Sequence, residues 1–268
     1  MEWISNPDAW LGLLTLTFLE IVLGVDNIIF ISIAAGKLPR EQQAKATNVG
    51  LFLAMIMRII LLLGINVLIS MKQPWIEFHL SWFHGAFSGQ SLILLAGGIF
   101  LLYKSTSEIH HKLEGMEHTE TSTTKKAVNT LGAAIVQITV INIVFSFDSI
   151  LTAVGMTNGL PNALTLMIIA VVISMLIMMA FATPVGRFVN EHPTIQMLGL
   201  AFLILIGFML ITESAHLAHL SVLGNEVGAI PKGYLYFAIA FSLGVEFLNM
   251  RLRKKGTVVH LHGPKIEG

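Results

Sequence analysis

The chain contains no cysteine, which removes disulfides, thiolate metal sites and cysteine nucleophiles together. Charge is scarce. Only 12% of the 268 residues are Asp, Glu, Lys or Arg, against about a quarter in an ordinary soluble domain. No glycine-rich phosphate loop occurs anywhere in the sequence, so nothing points to a nucleotide as energy source or ligand. Low-complexity tracts, a separate soluble domain and a nucleic-acid-binding pattern are equally absent.

Apolar residues fill the space that charge leaves. They make up 54% of the sequence, and the mean hydropathy is +0.77. Crossing a ~30 Å hydrocarbon core takes roughly 20 residues of helix. Seven apolar runs approach that length, at about 9–35, 49–71, 91–106, 131–156, 163–183, 195–212 and 233–250. The expected fold is therefore an all-α polytopic membrane protein with seven transmembrane helices, and the lipid bilayer is its first partner. The opening MEWISNPDAW has neither a basic flank nor a small-residue cleavage site, so the first run reads as a retained helix and not as a signal peptide. Of 16 basic residues, Arg58 lies inside a span, while Lys72 and Lys232 fall on one side of the seven-span arrangement and all others on the opposite side. Positive loops mark the cytoplasm. That places the N-terminus outside and the tail RLRKKG inside.

Two of the runs resemble each other. LEIVLGVDNIIFISIAAGKLP at 19–39 and INIVFSFDSILTAVGMTNGLP at 141–161 align at a constant offset, pairing Ile21 with Ile143, Val22 with Val144, Asp26 with Asp148, Ile28 with Ile150 and Pro39 with Pro161. In the seven-span order these runs cross in opposite directions. The reading is one transmembrane domain over 1–268 made of two inverted three-helix repeats, about 9–106 and 131–212. A polar cytoplasmic joint at about 104–130, a seventh helix at about 233–250 and a basic tail at 251–268 complete it. Secondary transporters built this way hold their substrate near the midplane, where the repeats meet.

An aspartate at a helix centre costs roughly 2.5–3.5 kcal/mol on insertion scales, and here two stand at matching repeat positions. Glu20, Gly24 and Asn27 fall within about 60° on one helical face, at 100° per residue. Asp26 lies off that face unless the backbone opens near Gly24. Asn142, Ser146 and Ser149 pose the same question for Asp148. Carboxylates with amide and hydroxyl oxygens and no thiolate suit a hard divalent cation. The candidate ligands are Asp26, Asp148, Glu20, Asn27, Asn142, Ser149 and, on the last span, Glu246. Arg58, mid-span in LFLAMIMRIILLLG, is the candidate charge partner of Glu20, Asp26 or Glu246. The bland reading makes these acids structural ion pairs. Glu108 and Glu213, at span ends, read as solvated helix-end residues. The 10 histidines fall mostly in loops and the 13 methionines in apolar spans, which favours packing over a soft-metal path.

EIVLGVDNIIF at 20–30 and NIVFSFDSILTAVGM at 142–156, with the linker KLPREQQAKA and the segment HPTIQMLGLAFLILIGF, resemble the TerC family of integral membrane proteins over nearly the whole chain. The resemblance is to its compact bacterial branch without an appended soluble domain. It implies a multi-pass bacterial inner-membrane protein of metal-ion homeostasis that exports Mn²⁺ as substrate and holds no resident cofactor. Asp26, Asn27 and Asp148 stand on the family's signature positions, with Glu20 and Asn142 just before them. Asn142 in place of Glu20 and Ser149 in place of Asn27 make the second half depart from the first. The alternative function is a non-transporting membrane partner or scaffold linked to metal or tellurium stress. An intramembrane aspartyl enzyme would need close paired acids and GxGD or YD signatures; GVDN and SFDS lack them, so no enzyme is expected.

Overall fold

The computed structural model describes residues 7–80, 83–114, 130–157 and 162–254. Residues 115–129 of the polar joint and 255–268 of the tail, with His118, His260 and His262, lie outside the described residues. Contacts divide the chain into two units, Met1–Ile230 and Pro231–Gly268, where the sequence suggested a single domain. The second unit consists, among the described residues, of one helix, α8 (Lys232–Lys254).

The first unit contains α1 (Pro7–Gly36), α2 (Arg40–Leu63), the short α3 (Ile65–Ser70), α4 (Gly89–Glu114), α5 (Leu131–Thr157), α6 (Ala163–Glu191) and α7 (Pro193–Leu217). With α8, seven helices are long and apolar enough to cross a membrane. Local chemistry sets the breaks. Pro39 sits in extended geometry (φ −53°, ψ 143°) between α1 and α2, where its missing N–H costs nothing. Asn162 takes the left-handed conformation before α6 (φ 57°), and Pro193 opens α7 at its first turn, a position already lacking an intrahelical acceptor. Gly64 ends α2, and α3 then continues for 6 residues. The expected second span at 49–71 is thus two helices, the longer starting at Arg40 in a polar first turn.

The helices alternate in direction. Leu131, Ala134 and Ile135 at the start of α5 pack against Ala35 and Leu38 at the end of α1 and Ala46 near the start of α2. One end of the unit therefore gathers the C-termini of α1, α4 and α6 and the N-termini of α2, α5 and α7. This end carries Lys37, Arg40, Lys45, Lys104, Lys112 and Arg187, whereas Lys72 follows α3 at the other. The main helix pairings are α1 with α6, α2 with α5, and α4 with α7. Exchanging the triplet α1, α2, α4 with α5, α6, α7 turns this set of pairs into itself. The first helix, α1, is the most enclosed, with 73% of its apolar window buried against 50% for α7. Outward faces carry Leu14, Phe18, Leu176 and Phe181, as a lipid-facing surface should.

Two features depart from the sequence reading. The third span, expected at 91–106, runs on as helix to Glu114, because its polar extension packs: Ser105 and Glu108 are buried, and Glu108 meets Lys37 at 2.6 Å. Glu108 is accordingly no solvated helix-end residue. A four-stranded antiparallel sheet also lies in segments expected to be loops: β1 (Pro74–Leu80), β2 (Phe83–Ser88), β3 (Ser221–Val222) and β4 (Asn225–Glu226), in that order. Leu223 and Gly224, both at positive φ, make the two-residue turn that pairs Val222 with Asn225.

Candidate functional site

The site is built by three helices of the first unit: α1 with Glu20 and Asn27, α2 with Arg58, and α5 with Asn142, Ser146 and Ser149. All six side chains are buried. Arg58 Nη1 lies 2.5 Å from Glu20 Oε2, and Arg58 Nη2 donates to Ser149 Oγ. The guanidinium thus bridges the two motif helices. At that distance the contact is a charge-assisted ion pair, while Arg58 Nε has no hydrogen-bond partner among the described residues. A bare guanidinium in a bilayer is costly, and here a carboxylate and a hydroxyl offset that cost.

On α5 the polar side chains lean on their own helix. Ser149 Oγ donates to the Ser146 carbonyl at 3.1 Å, Ser146 Oγ to the Asn142 carbonyl at 2.6 Å, and Asn142 Nδ2 to the Ile138 carbonyl at 3.2 Å. These back-bonds satisfy the donors and leave hydroxyl and amide oxygens as acceptors. On α1 the pattern differs. Thr17 Oγ1 and Asn27 Oδ1 are buried oxygens with no hydrogen-bond partner among the described residues, and Glu20 Oε2 between them faces Arg58. At 100° and 1.5 Å per residue they form a stripe about 80° wide and about 15 Å long. Thr17 is absent from the sequence-derived set, although its spacing to Glu20, Gly24 and Asn27 places it on their face.

Both motif helices are continuous, α1 through Gly24 and α5 through Ser146, so no opened backbone turns either aspartate. The side chain of Asp26 lies outside the described residues. Asp148 is half-buried and engaged in an interaction of its own, and its carbonyl accepts from Thr152 Oγ1 at 2.9 Å. Glu246 stands on α8 in the second unit, where its Oε1 has no hydrogen-bond partner among the described residues. Among the described residues no three His, Asp or Glu side chains come close enough to share a metal ion. What the structure brings together is Glu20, Arg58 and Ser149.

Seven helices long and apolar enough to cross a membrane, with a buried charged bridge among α1, α2 and α5 of the first unit, define an integral membrane protein. The chain belongs to the integral membrane protein TerC family, whose profile it matches over residues 5–257. It is 46% identical over 253 residues to a UPF0053 protein of Haemophilus influenzae, covering 94% of this chain and 98% of that one. It is 45% identical to the UPF0053 inner membrane protein YgdQ of Escherichia coli, covering 94% and 97%. Its 44% identity to the inner membrane protein YoaE of Escherichia coli spans 95% of this chain and 45% of YoaE. No solved structure matches the chain.

Proposed function

We propose that the chain carries a divalent cation across the inner membrane, exporting Mn²⁺ at the expense of an ion gradient. The observation that carries this reading is the stripe of buried oxygens on α1: Thr17 Oγ1 and Asn27 Oδ1, without a hydrogen-bond partner among the described residues, flank Glu20 Oε2, whose neighbour is the Arg58 guanidinium. Buried acceptors normally find a donor; a row of them along one helix face suits a desolvated hard cation, which takes oxygen ligands. Asp26 and Asp148 supply the charge. Cation and protons cross in opposite directions, so that the proton gradient drives the export.

Arg58 is the counter-ion of the cation-free state. It neutralises Glu20, so that carboxylate is not stranded unpaired among the helices. A cation drawing Glu20 into its ligand set would leave the guanidinium on Ser149 alone. The same ion pair also favours a second reading, in which the acids are purely structural and the protein is a non-transporting partner of another membrane protein.

The test is Mn²⁺ flux in sealed vesicles under an imposed pH gradient, comparing wild type with Asp148→Asn. Flux that requires both the carboxylate and the gradient is the expected result. Equal flux in the two proteins would end the transport mechanism written here. An inert but well-folded wild type, silent toward Ca²⁺ as well, would favour the partner role.

A further inference from the structure

The end of the first unit that gathers the termini of α1, α2, α4, α6 and α7 holds a cavity of about 590 Å³. Its lining is polar and unequal in sign. Lys37, Lys104, Lys112 and His111 face it, with Glu108 as the single acid. Lys37 Nζ sits 2.6 Å from Glu108 Oε2 and cancels that charge. Lys112 Nζ donates to Gln196 Oε1. Hydrogen bonding to a neutral amide leaves its charge intact. Lys104 has no hydrogen bond or ion pair among the described residues, although it is half-buried. His111 Nδ1 is held by the Ser107 carbonyl at 2.7 Å, which leaves Nε2 as the ring's remaining polar atom.

Two ammonium charges therefore stand uncancelled in a concave, partly desolvated space. Both stand on α4, eight residues apart, and both line the cavity; like charges repel more strongly where water is excluded. A divalent cation would add to that repulsion. An apolar ligand would find no matching walls. An anion with several acceptor oxygens answers the uncancelled positive charge.

We infer that this cavity binds a phosphate group, with Lys104 as its main contact, Lys112 as the second, and the amides of Gln196 and Asn190 available as neutral donors. The group comes from one of two sources: a phospholipid headgroup reaching in from the bilayer surface, where basic pockets between transmembrane helices take such groups, or phosphate free in solution. This site is separate from the oxygen stripe of α1, and the inference stands whether or not the protein transports a cation.

The experiment uses the full chain purified in detergent and offers two probes. One is ³²P-orthophosphate in equilibrium binding at constant ionic strength made up with chloride. The other is phosphatidylglycerol against phosphatidylcholine, scored by native mass spectrometry as lipid retained per protein. Lys104→Ala should weaken the bound probe by about tenfold, the loss of one charge-assisted contact, while Lys104→Arg and the exposed-site variant Lys45→Ala keep it. Saturable orthophosphate binding identifies the dissolved anion as the ligand; selective retention of phosphatidylglycerol alone identifies the headgroup. Should Lys104→Ala fail to fold, Lys104→Gln keeps the side-chain stem and removes only the charge. Wild-type protein that binds neither probe above the chloride and phosphatidylcholine controls overturns the inference. So does a Lys104 variant that binds as wild type does.

Discussion

The guanidinium of Arg58 touches Glu20 on α1 and Ser149 on α5, and this sets what mutation of either charge should do. Removing one member of a buried pair strands the other and costs about 3–5 kcal/mol, whereas replacing both by apolar groups of similar volume is often neutral. Glu20→Leu alone and Arg58→Met alone should each lower the thermal midpoint in detergent sharply. The double variant should recover most of the loss. Its flux then separates the two functional readings: a transporter that uses Glu20 as ligand stays inactive with its stability restored, whereas a structural pair gives back function along with the fold. At this scale the sequence exposed a good deal, because an intramembrane Arg or Glu is conspicuous against apolar neighbours. It offered Glu20, Asp26 and Glu246 as partners for Arg58 without ranking them, since choosing requires knowing which helix lies beside α2. Thr17 escaped for the opposite reason. A threonine in an apolar helix is unremarkable until its hydroxyl proves to be buried without a partner.

Between elements, the closest approach is that of α4 and α7. A Cβ built on Gly98 would lie 2.7 Å from the Gly207 carbonyl oxygen, and one built on Gly207 would lie 3.0 Å from that of Gly98. Backbone cannot rotate away as a side chain can. The contact therefore needs glycine on both sides, as small-residue interfaces in membranes do. Gly98→Ala should destabilise by about 1–3 kcal/mol through overpacking. Gly155→Ala is the control, since nothing lies within 4 Å of its added Cβ; it should hold or slightly raise the thermal midpoint, by up to about 1 kcal/mol of helix propensity. GGIFLL at 97–102 sets two small residues in an apolar run, which suits a close helix contact, but nothing in the sequence names Gly207 as its mate. The matched motifs of α1 and α5 suggested a repeat and the sequence was nearly silent elsewhere, because lipid-facing and packing positions accept any apolar residue of suitable size. The sheet was missed because its strands are short and β1 is exposed throughout, so no alternation of apolar and polar residues announced it. The polar stretch of α4 read as linker because the Lys37 partner that buries Glu108 lies on a different helix.

For the whole molecule, the distribution of charge makes a statement about sidedness that the bundle geometry sharpens. Lys37, Arg40, Lys45, Lys104, Lys112 and Arg187 gather at one end of the first unit, and Lys72 lies beyond α3 at the opposite end. If positive residues mark the cytoplasmic face, the phosphate-binding cavity opens inward and the sheet faces the outside. The absence of cysteine makes this directly measurable, because any thiol introduced is the sole reactive one. Lys45→Cys and Lys72→Cys both replace exposed side chains, so neither should disturb packing. In intact cells a membrane-impermeant maleimide should label Lys72→Cys at once and reach Lys45→Cys only after the membrane is opened. The reverse pattern would invert the protein and move the basic cavity to the face away from cytoplasmic phosphate. Labelling of both sites from outside would break the odd-numbered span order itself, because α2 and α3 must carry the chain from one membrane face to the other between those two positions.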